Sequence, residues 1–272
     1  MKTNSRFLFT AALGLALAFT FSCSTDSDLS PKSNESGPSS GTFEDIRDGK
    51  IYRWNKIGGQ VWLENLNYAR GGKCYGEGGP VALVDNGHIY DQITLTNAQI
   101  QNNCDRYGRL YDWVTAMALS SSCKTNRCSS LIFANHQGIC PSGWHIPSNA
   151  EWAKLYHYVD GTNYVEGISG TEYKSLTAGK YLKATKGWDS NGNGIDTYGF
   201  TALPGGTGME SRDLGLDLLY ASGGTYGRWH TSSEGNATSI FFWAIDYDSD
   251  AASWNTNLNK SDYFFSVRCV KN

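Results

Sequence analysis

Between Gly138 and Trp152 the chain reads GICPSGWHIPSNAEW. Proline fixes φ, so a rigid extended segment is expected to end at Pro147. Ser148 stands three residues before Glu151, the Ser-x-x-Glu spacing of a capping box, which starts a helix after Ser148. Trp152, Leu155, Tyr156 and Val159 then recur at three- and four-residue steps and give that helix one apolar face. Cys140 is placed to pin the approach to another part of the chain.

The chain has seven cysteines, at positions 23, 74, 104, 123, 128, 140 and 269. Setting Cys23 aside leaves an even set, the arithmetic of a disulfide framework in an exported protein. Zinc is the competing chemistry, but no C-x-x-C pair and no closely spaced His pair is present. Cys74 and Cys104 bracket a glycine-rich stretch and are placed to staple it. Cys123 and Cys128 enclose a short loop that a local disulfide would close.

The N-terminus supplies the export signal. Lys2 and Arg6 precede an uncharged run from Phe7 to Ser22, which is too short for a comfortable membrane span. Residues 1–22 therefore read as a signal peptide. Cys23 follows Thr20-Phe21-Ser22, close to a lipobox although Leu is missing from its usual place, and is the expected lipidation site. Residues 23–42 are rich in Ser, Pro and Gly with almost nothing to bury, so they form a flexible tether. Asp26 and Asp28 add an acidic cue of the kind that precedes surface export. A single folded domain is expected over residues 43–272.

Four further segments occur in a fixed order around the central stretch. They are DGKIY with IGGQVWLENLNY (Asp48 to Tyr68), YGRLYDWVTAM (Tyr107 to Met117), YGFTALPGG (Tyr198 to Gly206) and SVRCVK (Ser266 to Lys271). Together with CPSGWHIPSNAEW the set resembles the Fibrobacter succinogenes major paralogous domain, a family of bacterial secreted and lipoprotein domains. The resemblance covers roughly residues 43 to 272. It implies an α+β, C-type-lectin-like fold, related also to formylglycine-generating enzymes. Such a fold has short twisted antiparallel strands, two or so helices and long loops, stapled by disulfides. It further implies a Cys140–Cys269 bridge and a last strand lying beside the first. It gives fold and address, and names no reaction.

Local patterns fill in the domain. Ile51 to Lys56 and Gln60 to Leu63 read as strands joined at Gly58-Gly59, a pair suited to a turn with positive φ. Trp54, Ile57, Val61 and Trp62 are expected in the core, as are Trp113, Ala116 and Met117 at helical spacing. Residues 70–104 read as loop, and 160–187 as mostly irregular. Leu-Pro-Gly-Gly at 203–206 reads as a turn beside a strand. Tyr226 to Ser232, Ile240 to Tyr247 and Asp262 to Val270 read as the closing strands.

Asp189, Asn191, Asn193, Gly194 and Asp196 give D-x-N-x-N-G-x-D. Alternating oxygen ligands with a glycine at the sharp turn are what a calcium loop needs, with a carbonyl from Ile195. Phe200 stands where an EF-hand would end in Glu, so the loop is not an EF-hand. A turn that uses Asn and Gly for positive φ has the same composition, so both readings stand.

A net charge of −3 and the absence of any Lys/Arg run argue against nucleic acid as a partner. No nucleophile elbow, HExxH, Walker loop or dinucleotide fingerprint occurs. His145, between Trp144 and Pro147, reads as a structural hydrogen-bonder. Trp229, Trp254, Asn255 and Asn257 are candidate ligand-binding residues, aromatic faces and amide donors of the kind that contact sugars. Trp243, inside a strand run, reads as core, and Trp254, in a polar run, as exposed. The expected function is non-catalytic binding or adhesion to glycan at the outer surface of a bacterial envelope. A scaffold lipoprotein that contacts other surface proteins is the alternative, and an enzyme of the formylglycine-generating type the third reading.

Overall fold

The computed structural model describes residues 39–85, 88–161 and 173–272. The expected signal peptide, Cys23 and most of the expected tether lie outside the described residues. Strand β1 (Ser40–Asp45) opens the domain slightly ahead of the expected start at residue 43. It pairs antiparallel with β2 (Lys50–Ile57), and β2 with β3 (Gln60–Leu63). Gly58 and Gly59 have φ of +57° and +79°, the left-handed turn their sequence demands. A β-carbon on Gly58 would also lie 2.6 Å from the Tyr158 side chain.

The stretch read as loop is structured. It holds a hairpin of β4 (Val81–Asp85) and β5 (His88–Ile93), then helix α1 (Asn97–Tyr107). Helix α1 hides from pattern reading because it buries only Cys104 and Tyr107, so no apolar stripe forms. Its start is marked instead by a Thr96–Gln99 capping box. Strand β6 (Leu110–Asp112) runs into α2 (Trp113–Ala116), capped by Asp112, and Trp113, Ala116 and Met117 are buried as expected.

Strand β7 (Trp144–His145) is the extended approach, and α3 (Asn149–Asp160) starts with both halves of the Ser148–Glu151 capping box formed. The segment read as irregular contains β8 (Tyr173–Ser175) and α4 (Ala178–Leu182). The remaining strands are β9 (Thr207–Ser211), β10 (Leu216–Ala221), β11 (Tyr226–Glu234), β12 (Ser239–Asp246), β13 (Ala252–Asn259), β14 (Tyr263–Ser266) and β15 (Val270–Lys271). The fold is mixed helix and strand, with α1 and α3 the two long helices among the described residues.

Two sheets result. One has the order β1-β2-β3-β15-β7; the other runs β5-β4-β10-β9-β14-β11-β12-β13-β8, with β6 on β14. The closing run from Asp262 to Val270 is therefore two strands in two sheets. Between them, Val267 and Cys269 offer their carbonyls to the Leu66 and Leu63 amides, which pulls the chain across. The last strand lies beside β3, not beside the first strand. The β1-β2-β3 meander leaves β3 as the free inner edge, and β15 takes it.

Helix α3 is wedged between the sheets. Trp152 packs 4.7 Å from Trp62 of β3, 5.9 Å from Trp229 of β11 and 6.2 Å from Trp243 of β12. Ile57 and Trp62 are core as expected, while Trp54 and Val61 are half-buried against its edge. Three disulfides, Cys74–Cys104, Cys123–Cys128 and Cys140–Cys269, complete the framework.

Candidate functional site

The sugar-contact reading of the tryptophans is corrected by burial. Trp229 and Trp254 are 0% and 1% exposed. The polar run around Trp254 is strand β13, paired to β12 on one side and β8 on the other. Its alternation turns Trp254 inward, 5.0 Å from the Phe241 ring. Asn255 and Asn257 lie on the same strand.

The calcium-like loop closes on its own chain. Asp196 accepts the Thr201 amide and hydroxyl, both at 2.7 Å. Asn193 Oδ1 accepts the Trp188 amide, and the Asp189 carboxylate lies against Gly224. Ser190, Asn191 and Asp196 take the positive φ that their composition allows. Ile195 is half-exposed, and its amide bonds to the Lys180 carbonyl. Among the described residues, no group of three or more His, Cys, Asp or Glu side chains gathers as metal ligands.

What the loop does hold is one wall of a cleft. The Thr201 carbonyl accepts from Arg268 Nη2 at 2.9 Å. Arg268 is 2% exposed, its guanidinium 3.8 Å from the Phe200 ring centre. Its Nε donates to Asn65 Oδ1 at 3.0 Å and its Nη1 reaches the Leu63 carbonyl. Every one of these acceptors is neutral. Burial pulls the guanidinium down to about 10, against the distant charges of Glu64 and Asp196.

Asn65 is the joint of this region. The same Oδ1 accepts the Trp229 indole at 2.9 Å, and its amide nitrogen donates to the Tyr107 carbonyl at 2.9 Å. Tyr107 is carried there by Gly108, which ends α1 at φ +77°; a β-carbon there would meet the Leu66 carbonyl at 2.7 Å. Asn67 donates to the Cys104 carbonyl at 3.0 Å, while its own buried Oδ1 has no partner among the described residues.

These residues enclose a cleft of about 300 Å³. Its rim carries Lys50, Arg53, Glu64, Asp105 and Arg106, and Arg268 forms its buried side. Arg53 is fixed by Glu64, with the side chains 3.1 Å apart and the Arg53 amide on the same carboxylate. Arg106 lies over the Tyr107 ring at 5.0 Å. The cleft offers many donors, a few acceptors and two aromatic rings, Tyr52 and Tyr107.

None of its residues stood out in the sequence as a site. The one available signal was ENLNY, two asparagines just past a strand that enters the core.

His145 is the structural hydrogen-bonder expected of it. It lies 2.8 Å from Glu151 Oε1 and 2.7 Å from Asn272 Oδ1. Burial opposes its charge, but Glu151 and Asn272 outweigh that and raise the imidazole above its ordinary value. Burial likewise pushes Glu151 up, and the bonds from His145 and Ser148 hold it below the usual carboxylate range.

The geometry thus defines a disulfide-stapled domain of two sheets and a central helix, with a polar cleft where the β2-β3 hairpin, α1 and Arg268 meet. The Fibrobacter succinogenes major domain matches residues 56–271, and the chain belongs to that family. No curated protein and no solved structure matches the chain.

Proposed function

We propose that the protein is a non-catalytic binding lipoprotein of the bacterial cell surface, with a lectin-like fold, and that its cleft takes a glycan. The observation that carries this is the cleft itself. Its size suits one or two sugar rings, and its lining of Arg, Asn, Glu and Thr matches a ligand made of hydroxyls. The Asn67 Oδ1, buried and without a partner among the described residues, can accept from a sugar hydroxyl. Export to an oxidising compartment is supported by three disulfides behind an N-terminal apolar run.

A glycan array probed with the full chain in detergent tests the binding. At least one saccharide should bind, and Arg53→Ala, whose exposed side chain leaves the core untouched, should weaken it at least about tenfold, or about 1.4 kcal/mol. A blank array, or equal binding by the variant, removes the cleft reading.

The anchor is tested separately. Intact-mass measurement of the membrane fraction should find Cys23 lipidated as the first residue, and Cys23→Ser should release the protein from membranes. A variant that still partitions with them would overturn the lipoprotein assignment.

A further inference from the structure

We propose that the ligand of this cleft is an acidic saccharide, one whose carboxylate or sulfate is met by Arg106 and Arg268. This rests on the glycan reading above and narrows it. The argument is one of charge matching. Four lining side chains are cationic (Lys50, Arg53, Arg106, Arg268) and two are anionic (Glu64, Asp105). The protein as a whole is acidic, at −3, so the cleft carries the opposite sign from the chain.

Two of the four cations are already matched by neighbours. Arg53 has Glu64 at 3.1 Å and Lys50 has Asp48 at 3.7 Å. Asp105 is engaged by Gln101 Nε2 at 2.8 Å on its own helix. Among the described residues, no carboxylate lies within ion-pair distance of Arg106 or Arg268. Arg106 rests on the Tyr107 ring with no hydrogen-bond acceptor among the described residues, and Arg268 is held by neutral oxygens alone.

Arg268 is a guanidinium removed from water without a counter-charge at ion-pair distance, which is costly to the fold, and an anion brought beside it recovers part of that cost. Arg106 is exposed and loses its water only when a ligand covers it. The fork geometry of Arg favours a carboxylate or sulfate over a hydroxyl. A neutral sugar would fill the cleft and leave both charges uncompensated.

The test compares matched probes by titration calorimetry on the full chain in detergent. The probes are an oligogalacturonate, the same oligosaccharide with its carboxyls reduced to hydroxymethyl groups, and a sulfated galactan oligosaccharide. At least one acidic probe should bind tenfold or more tighter than the reduced one, and the preference should shrink as salt rises. Tighter binding of the first or of the third tells carboxylate from sulfate.

Arg106→Gln, on the exposed face of α1, should abolish most of the preference with the circular dichroism spectrum unchanged. Arg268→Lys, which keeps the charge and loses the fork, should reduce it. Equal binding of acidic and reduced probes would overturn the inference and leave the glycan reading standing. So would a preference for acid that survives both substitutions. A blank glycan array, by contrast, would remove the underlying reading itself.

Discussion

Replacing Cys140 and Cys269 together by alanine is expected to cost about 4–5 kcal/mol, the largest loss from any one of the three bridges. The pair is separated by 129 residues. In the chain-entropy model, a cross-link restrains the unfolded chain more as the loop it closes grows, reaching about 4.7 kcal/mol for a loop of roughly a hundred residues. The bridge also ties the approach to α3 to the crossing between the two sheets, and both cysteines are fully buried. Cys123–Cys128, five residues apart, should be worth only about 2 kcal/mol by the same formula. Urea unfolding of the two double-alanine variants measures the difference directly. Equal losses, or a greater loss at the short loop, would show that native contacts rather than chain entropy set the contribution.

The frame of the molecule was legible where sequence carries a mechanism. Ser148 and Glu151 give a reciprocal cap that exists before any tertiary contact, and the structure contains it. Gly58-Gly59 supplies a backbone shape that few residues adopt. The disulfide partners followed partly from bracketing and partly from family resemblance. What failed was exposure. Trp254 is surrounded in sequence by Ser, Asn and Thr, and reads as a loop residue. In the structure those polar neighbours share β13 with it, and alternation alone decides which side chain turns inward.

The cleft was illegible for a related reason. Arg53 and Asn65 share the β2-β3 hairpin, but Arg106 and Arg268 come from two other, distant parts of the chain, and the crossing from β14 to β15 brings Arg268 to the hairpin. No local period records such a meeting. The Asp196 motif did mark a special loop, whose carboxylate positions Thr201 and, through its carbonyl, the Arg268 guanidinium.

Lowering the pH from about 7 to about 5 is expected to weaken the fold, and His230 is the main reason. The residue is fully buried on β11, its Nε2 2.7 Å from the Tyr111 carbonyl and its ring 5.1 Å from Phe265. The Nδ1 has no partner among the described residues, so a second ring proton would find no acceptor. Burial drives the imidazole down to about 4, with the Tyr111 bond and the Asp112 charge acting weakly the other way. An unfolded histidine titrates near 6.5. The unfolded chain therefore binds more protons between these values, and stability falls as pH falls. The contribution is complete above about 6.5 and is lost toward 4, at up to ~1.4 kcal/mol per unit and ~3 kcal/mol in all.

His157, also lowered by burial, adds in the same sense. His145 has the opposite sign: raised by Glu151, its contribution is fully present below 6.5 and fades as pH rises through its folded value. Glu151, lowered, keeps its own contribution above the ordinary carboxylate value and loses it as pH falls from there through its folded value. Between about pH 6.5 and 4.5, His230 thus dominates. A His230→Gln variant can keep a donor to the Tyr111 carbonyl and cannot titrate. Its urea midpoint should vary with pH far less than that of the native protein over this interval, even if it is less stable at neutral pH. Parallel pH profiles for the two proteins would assign the acid sensitivity to another group.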